Sequence, residues 1–194
     1  MMVTAIVLAA GQGSRFRAAA GADQDKLLAQ CVGRDGVTRP VFEQVLVNVP
    51  DSVAKRCVVT SPDRLEVIRL AQRYGCEVVL LRSAGMGDSL AAAVAASRSS
   101  DGWLVVLGDM PFILPSSIEQ VVAHTEGISV PVHAGQYGHP VMFGRSLGPA
   151  LMALTGDRGA RPLFAHASVR EVPVDDPGVL WDVDVPPSLR FVPA

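Results

Sequence analysis

The sequence predicts a doubly wound α/β fold, a mostly parallel sheet between two layers of helices, and three observations carry that expectation. Strongly apolar strand candidates alternate with amphipathic or alanine-rich helix candidates at the spacing of βα units. Two of the strands, residues 3–9 and 103–107, are apolar almost throughout, as expected where a strand is buried on both faces of a parallel sheet. Each breaks into a glycine-bearing loop, Ala10-Gly11-Gln12-Gly13-Ser14-Arg15 after the first and Gly108-Asp109-Met110-Pro111 after the second.

The elements follow in order. Residues 27–32 are expected as a short strand, and Pro40 opens a helix with the stripe Val41, Phe42, Val45, Leu46 and Val49 before Pro50 ends it. A strand over 56–60 leads into Ser61-Pro62, a cap followed by proline at the first helical position. Leu65, Ile68 and Ala71 are the expected buried face of that helix, with Leu70 beside them, and Gly75 closes it before a strand over 76–81. The loop from Arg82 to Leu90, Ser83 and Ala84 included, enters an alanine-rich helix. Beyond the 103–107 strand, a helix follows Pro115 and strands cover 128–132 and 141–143, joined by a polar turn with His133 and His139. A short helix carries Leu147, Leu151 and Leu154, and the tail ends in an apolar run at 172–174 and then Asp182-Val183-Asp184. Ligands of such sheets bind beyond the carboxyl ends of the strands, so the loops at 10–17, 85–89 and 108–111 are expected to meet.

Composition narrows the function classes. With 194 residues, 49% of them hydrophobic and 19% charged, the chain is expected to form one domain over 1–194 with a substantial core. A formal net charge of −2 argues against a nucleic-acid partner and favours small-molecule chemistry. Cys31, Cys57 and Cys76 are odd in number and without a CxxC pair, which indicates neither a disulfide framework nor a zinc knuckle. The apolar N-terminal run lacks a basic flank and is too short to cross a bilayer, so no membrane association and a cytoplasmic location are expected.

The first loop is suited to phosphate. Glycines let backbone N–H groups approach an anion, and Arg15 and Lys26 supply positive charge. It is not a dinucleotide fingerprint, because Phe16 stands where the third glycine would be, and not a Walker A loop, because Lys26 lies between Asp25 and Leu27. Gly87-Asp88-Ser89-Leu90-Ala91 lacks the last glycine of a serine-hydrolase elbow. What remains is a glycine loop, an arginine, a lysine and a strand-end aspartate. A carboxylate directly after a buried strand is costly unless it faces water or a metal, and Asp109 fits Mg²⁺ on triphosphate oxygens; a helix cap or an Asx turn is the structural alternative. Asp182 and Asp184, two apart, share a face if the segment is extended, so either or both qualify as a second metal ligand.

Six motifs in order carry a resemblance. They are Leu8-Ala9-Ala10-Gly11-x-Gly13-Ser14-Arg15 with Lys26, Gly85-Met86-Gly87-x-Ser89-Leu90, and Gly108-Asp109-Met110-Pro111-Phe112. Gly138-His139-Pro140-Val141, Gly156-Asp157-x-Gly159-Ala160-Arg161 and Asp182-Val183-Asp184-x-Pro186 complete the set. Together they resemble the nucleotidyltransferases of the molybdenum cofactor, in the cytidylyltransferase-like branch of the MobA-like NTP transferases. The resemblance implies a glycosyltransferase-A-like, Rossmann-like three-layer fold. It also implies transfer of CMP, or less favoured GMP, from CTP or GTP to the terminal phosphate of molybdopterin cofactor, with release of pyrophosphate. On this resemblance Arg15, Lys26 and Asp109 are catalytic, and Asp109, Asp184 and Asp182 hold Mg²⁺. Leu8, Ala9, Ala10, Gly11, Gly13 and Ser14 would bind the nucleotide with Gly85, Met86, Gly87, Ser89 and Leu90, while His139 and Arg161 would face the acceptor. Ala10, where guanylyltransferases of the family tend to have glycine, favours cytosine. Two other readings stay open: an NTP transferase for a sugar phosphate, polyol phosphate or phospholactate, and a non-catalytic module that delivers the cofactor to a molybdoenzyme.

The chain departs from the family pattern in three places. Arg17 replaces a common glycine, the interval 18–25 before Lys26 is long, and no Pro-Glu-Asp helix follows Asp184. The long interval raises the expectation that Lys26 is displaced from its family role.

Overall fold

The computed structural model describes residues 2–82 and 85–193, so Ser83 and Ala84 of the expected loop lie outside the described residues. The chain runs β1 (Val3–Leu8), α1 (Ser14–Ala20), β2 (Gln30–Val32), β3 (Thr38–Pro40), α2 (Val41–Asn48), β4 (Lys55–Thr60), α3 (Leu65–Arg73) and β5 (Glu77–Leu80). It continues with α4 (Met86–Ala96), β6 (Gly102–Leu107), α5 (Pro115–Val122), β7 (Ile128–His133), β8 (Gln136–Tyr137), β9 (Val141–Gly144), α6 (Gly148–Met152) and β10 (Val169–Pro173).

One sheet in the order β10-β7-β9-β6-β1-β4-β5 organises the molecule, with β8 paired to β7 and β2-β3 forming a separate hairpin. β1 lies between β4 and β6, parallel to both, and its residues from Val3 to Val7 are almost completely buried. Its period-two alternation feeds two cores. Val3, Ala5 and Val7 pack with Phe42, Leu46, Val67 and Ile118 of α2, α3 and α5, while Ile6 packs with Leu90, Val94 and Leu151 of α4 and α6. Each of those fully buried large side chains contributes about 1.5–3 kcal/mol of transfer free energy. The expectation of a mostly parallel sheet covered on both faces is met. Two strands reverse among the described residues: β9 runs antiparallel to both β6 and β7, and the two-residue β8 runs antiparallel to β7.

Two local expectations need correction. Only Gln30–Val32 of the predicted 27–32 strand is extended, because Asp25 folds the preceding residues into a turn: its carboxylate accepts from Leu27 N–H at 3.0 Å and its carbonyl from Leu28 and Ala29. The α3 helix begins at Leu65 rather than after Ser61, whose hydroxyl instead donates to Asp63 at 2.6 Å. Its buried residues are Val67, Leu70 and Ala71, and Leu65 is 59% exposed. The i, i+3, i+4 stripe therefore starts at 67, since the late helix start turns Leu65 outward.

The segment after β10 is tied down by one buried carboxylate. Asp176, 1% exposed, accepts from the N–H groups of Leu114 (2.9 Å) and Gly178 (2.9 Å) and from the Ser117 hydroxyl (2.8 Å), and it pairs with Arg34. Arg34 also lies over the Phe191 ring, 5.0 Å from its centroid. The β2-β3 hairpin, the start of α5 and the tail thus meet at one point. No helix among the described residues is long and apolar enough to cross a membrane.

Candidate functional site

β1 and β6 end side by side, Leu8 paired with Leu107, so the loop after β1 and Asp109 emerge together. Gly13 makes the loop possible: it begins α1 at φ 61, a left-handed conformation that glycine adopts without strain, and the aliphatic part of Lys26 lies 3.5 Å from where a Cβ would stand. Among the described residues, no hydrogen bond uses the backbone N–H of Ala10, Gly11, Gln12 or Gly13 as donor. Such donors remain available to a ligand in the cleft beside them.

That cleft has a volume of about 360 Å³. Of the residues predicted to bind nucleotide, Leu8, Ala9, Ala10, Gly11, Gly85, Met86 and Ser89 line it, together with Lys26 and Asp109. Gly13, Ser14, Gly87 and Leu90 are not part of its lining. Leu90 is buried under the sheet, and the Gly87 N–H donates to Gly156 O at 2.7 Å. Gly85 and Gly87 let the 155–157 segment sit directly on the start of α4: a Cβ on Gly87 would fall 2.8 Å from Thr155 O, and one on Gly85 would collide with Gly156 and Asp157. As a result Asp157 joins the cleft wall, as does Gln12 from the loop after β1, two residues that sequence reasoning left unassigned. Asp157 belongs to the Gly-Asp-x-Gly-Ala-Arg motif, where only Arg161 had been singled out.

The long interval still brings Lys26 into the cleft. The Asp25 turn and the bonds from Val41 N–H to Ala29 O and Phe42 N–H to Leu27 O, both 2.9 Å, set the segment against α2. The Lys26 ammonium then lies 2.6 Å from Asp109 and 3.5 Å from Asp184, only 12% exposed. Asp184 arrives from the far end of the chain. Val183 is fully buried and its N–H donates to Asp109 O at 2.9 Å, so the flanking Asp182 and Asp184 project on the other side. Arg15, largely exposed, pairs with Asp184. Oxygens of Asp109, Asp182 and Asp184 all lie within 4.8 Å of one another. A set of hard carboxylate oxygens fits a divalent cation such as Mg²⁺. Asp182 is the most exposed of the three, yet its carboxyl is held above the usual range by partial desolvation first and by the charges of Asp184 and Asp109 next.

The two residues expected to face an acceptor differ in their surroundings. Arg161 is exposed at the start of a 3-10 segment, Arg161–Ala165, and makes no ion pair among the described residues. His139, before a cis bond to Pro140, has a buried Nδ1 without a hydrogen-bond partner. Burial lowers its pKa to about 4, against a smaller opposing pull from the Asp109 charge. The ring is therefore neutral at pH 7. Because the unfolded chain binds a proton near pH 6.5 and the folded one does not, stability falls as pH drops from 6.5 towards 4. Urea midpoints at pH 7 and pH 5 should show the wild type losing about 2 kcal/mol more than His139→Gln. Parallel losses in the two proteins would disprove the neutral, buried ring.

Sequence reasoning also missed Arg64, which precedes α3. Its guanidinium donates to Ala9 O at 3.2 Å and to Gly11 O at 2.5 Å, reaching the glycine loop from behind. The available signal was its charge. An arginine at a helix start opposes the helix dipole and asks for another reason to be there.

A mixed, mostly parallel sheet flanked by helices, with a glycine loop and a lysine-carboxylate cluster at its carboxyl edge, defines a Rossmann-like protein of the NTP-transferase class. The chain belongs to the MobA-like NTP transferase domain family, whose model matches residues 5–172. It is similar to the bifunctional protein GlmU of Azorhizobium caulinodans, 30% identical over 165 residues that cover 81% of this chain and 35% of that protein. GlmU of Acidiphilium cryptum is 30% identical over 150 residues, 76% of this chain and 32% of that one. The chain thus spans about a third of the length of these curated relatives. Among solved structures, a nucleotidyl transferase from Methanothermobacter thermautotroptrophicus superposes with a TM-score of 0.81 at 25% identity, over 96% of this chain and 94% of that one. Rv0371c from Mycobacterium tuberculosis gives 0.78 at 26% identity, over 97% and 95%.

Proposed function

We propose that the chain is a Mg²⁺-dependent nucleotidyltransferase that moves CMP, with GMP the less favoured cargo, from an NTP to a phosphorylated acceptor, a sugar phosphate or a cofactor phosphate. The observation that carries this reading is the meeting of Lys26, Asp109 and Asp184 beside a loop of unengaged backbone N–H groups. In this reaction an acceptor phosphate oxygen attacks the α-phosphorus of the NTP, and the bond to the β-phosphate breaks to release pyrophosphate. Such transfer asks mainly for positioning and charge neutralisation, with no covalent nucleophile from the protein. The 10–13 loop would hold the nucleotide through its N–H groups, and Lys26 and Arg15 would neutralise phosphate oxygens. Asp109 and Asp184, with Asp182 beside them, would hold Mg²⁺, which supplies further charge neutralisation at the triphosphate. The likeness to a protein described as a nucleotidyl transferase supports the reaction class.

Molybdopterin cofactor as the acceptor is a second reading; it rests on the resemblance that places His139 and Arg161 at the acceptor. A molybdoenzyme would then be the downstream partner. A panel of CTP, GTP, UTP and ATP against sugar phosphates, polyol phosphates and molybdopterin cofactor, with and without Mg²⁺, tests both readings. Pyrophosphate release should require Mg²⁺, favour CTP and select one acceptor. Absence of release with every pair, together with cofactor binding that ignores nucleotide, would replace an enzyme with a delivery module.

A further inference from the structure

We propose that Arg64 is a positioning residue that aims the backbone donors of the nucleotide loop, a role that rests on the nucleotide-binding reading above. Its side chain is only 9% exposed, and its guanidinium engages the carbonyls of Ala9 and Gly11 together. The Thr60 hydroxyl donates to the same Ala9 carbonyl at 3.0 Å, so that carbonyl is held from two sides.

The consequence follows from peptide geometry. A trans peptide is planar, with its C=O and N–H pointing in opposite directions. Ala9 C=O shares a plane with Ala10 N–H, and Gly11 C=O shares one with Gln12 N–H. Fixing both carbonyls towards Arg64 turns these two N–H groups to the opposite side. Ala10 and Gln12 line the cleft, and neither N–H donates to any described residue. The positive charge behind the carbonyls also polarises both peptide units and makes their N–H groups stronger donors.

Within its own helix the arginine does no structural work. It stands at the N-cap position of α3 and makes no side-chain cap, where Ser, Thr, Asp or Asn would stabilise the helix and a cation opposes its dipole. A residue that breaks the local rule without local return is characteristic of a functional position. Asp25 lies 3.8 Å from the Arg64 guanidinium and folds the turn that presents Lys26. One planar cation therefore touches both the glycine loop and the turn that presents Lys26. Lysine lacks the planar fork needed to hold two carbonyls at once.

Calorimetric titration of the full chain with CTP or GTP and Mg²⁺ tests this, using wild type, Arg64→Met, Arg64→Lys, and Arg64→Ala with and without millimolar guanidinium. Unfolding midpoints of the nucleotide-free proteins and ¹⁵N–¹H spectra are recorded alongside. Arg64→Met should bind about ten- to a hundred-fold more weakly, in keeping with lost hydrogen bonds to a charged donor. Arg64→Lys should fall between, and guanidinium should restore part of the affinity of Arg64→Ala. The Ala10 and Gln12 amide signals should move in every variant before nucleotide is added. Equal binding by wild type and Arg64→Met overturns the proposal while leaving the functional reading intact. So does a loss of affinity that tracks the unfolding midpoint and that guanidinium does not relieve. A wild type that binds neither CTP nor GTP overturns the functional reading, and the role of Arg64 with it.

Discussion

Asp109→Asn will reduce pyrophosphate release by at least about a thousand-fold while the protein stays folded, the scale expected when charge stabilisation in a transfer site is lost. The substitution keeps the size and one hydrogen-bond acceptor for Lys26, 2.6 Å away, and removes only the negative charge. Asp109 sits on the turn after β6 with its side chain 21% exposed, so no core contact depends on its ionisation. The thermal midpoint should therefore stay within a few degrees of wild type, and Asp184→Asn should show a smaller defect because Asp182 stands beside it. Steady-state pyrophosphate assays at saturating Mg²⁺ decide the matter. Retention of more than a tenth of wild-type turnover would remove Asp109 from the chemistry.

Asp176→Ala will have the largest effect on stability, a loss of about 3–5 kcal/mol, typical of removing one partner from a buried, hydrogen-bonded ion pair. Four groups lose their acceptor at once: the N–H of Leu114, the N–H of Gly178, the Ser117 hydroxyl and the Arg34 guanidinium. Gly178 shows how little room there is for repacking, since a Cβ there would collide with Phe112 O. Urea unfolding at pH 7 reads the effect, with Asp175→Ala as the neighbouring control. A loss below about 1 kcal/mol would mean that the carboxylate is replaceable by water.

The sheet was legible where strands are buried on both faces. The apolar runs ending at Leu8 and Leu107 leave little choice but a central parallel position, and the glycines after them mark the functional edge. The reversal of β9 was not legible, because Val141-Met142-Phe143 reads the same in either direction and its neighbours β6 and β7 are chosen by the tertiary fold. The face of α3 was misjudged through its start. Ser61-Pro62 is a good cap by composition, but the Ser61 hydroxyl is taken by Asp63 and the helix opens four residues later. In the site, Lys26, Asp109 and Asp184 carried chemical signals and came together. Arg64, Asp157 and Asp176 did not stand out, since Arg64 and Asp176 act through contacts 55 and 62 residues away in sequence and Asp157 lies on a wall built by another motif. For Asp157 that wall is the start of α4, where Asp88 accepts from Gly156 N–H.

Because Val183 is buried and bonded to Asp109, the acidic cluster draws on both the first strand's neighbourhood and residue 184. A chain grows from its N-terminus, and a domain generally folds as a unit. While it is being synthesised, Lys26 and Asp109 can meet, yet the second carboxylate is missing until the 182–184 segment has left the ribosome. On the proposed reading, the carboxylates that would hold a cation come together only when the 182–184 segment docks beside Asp109.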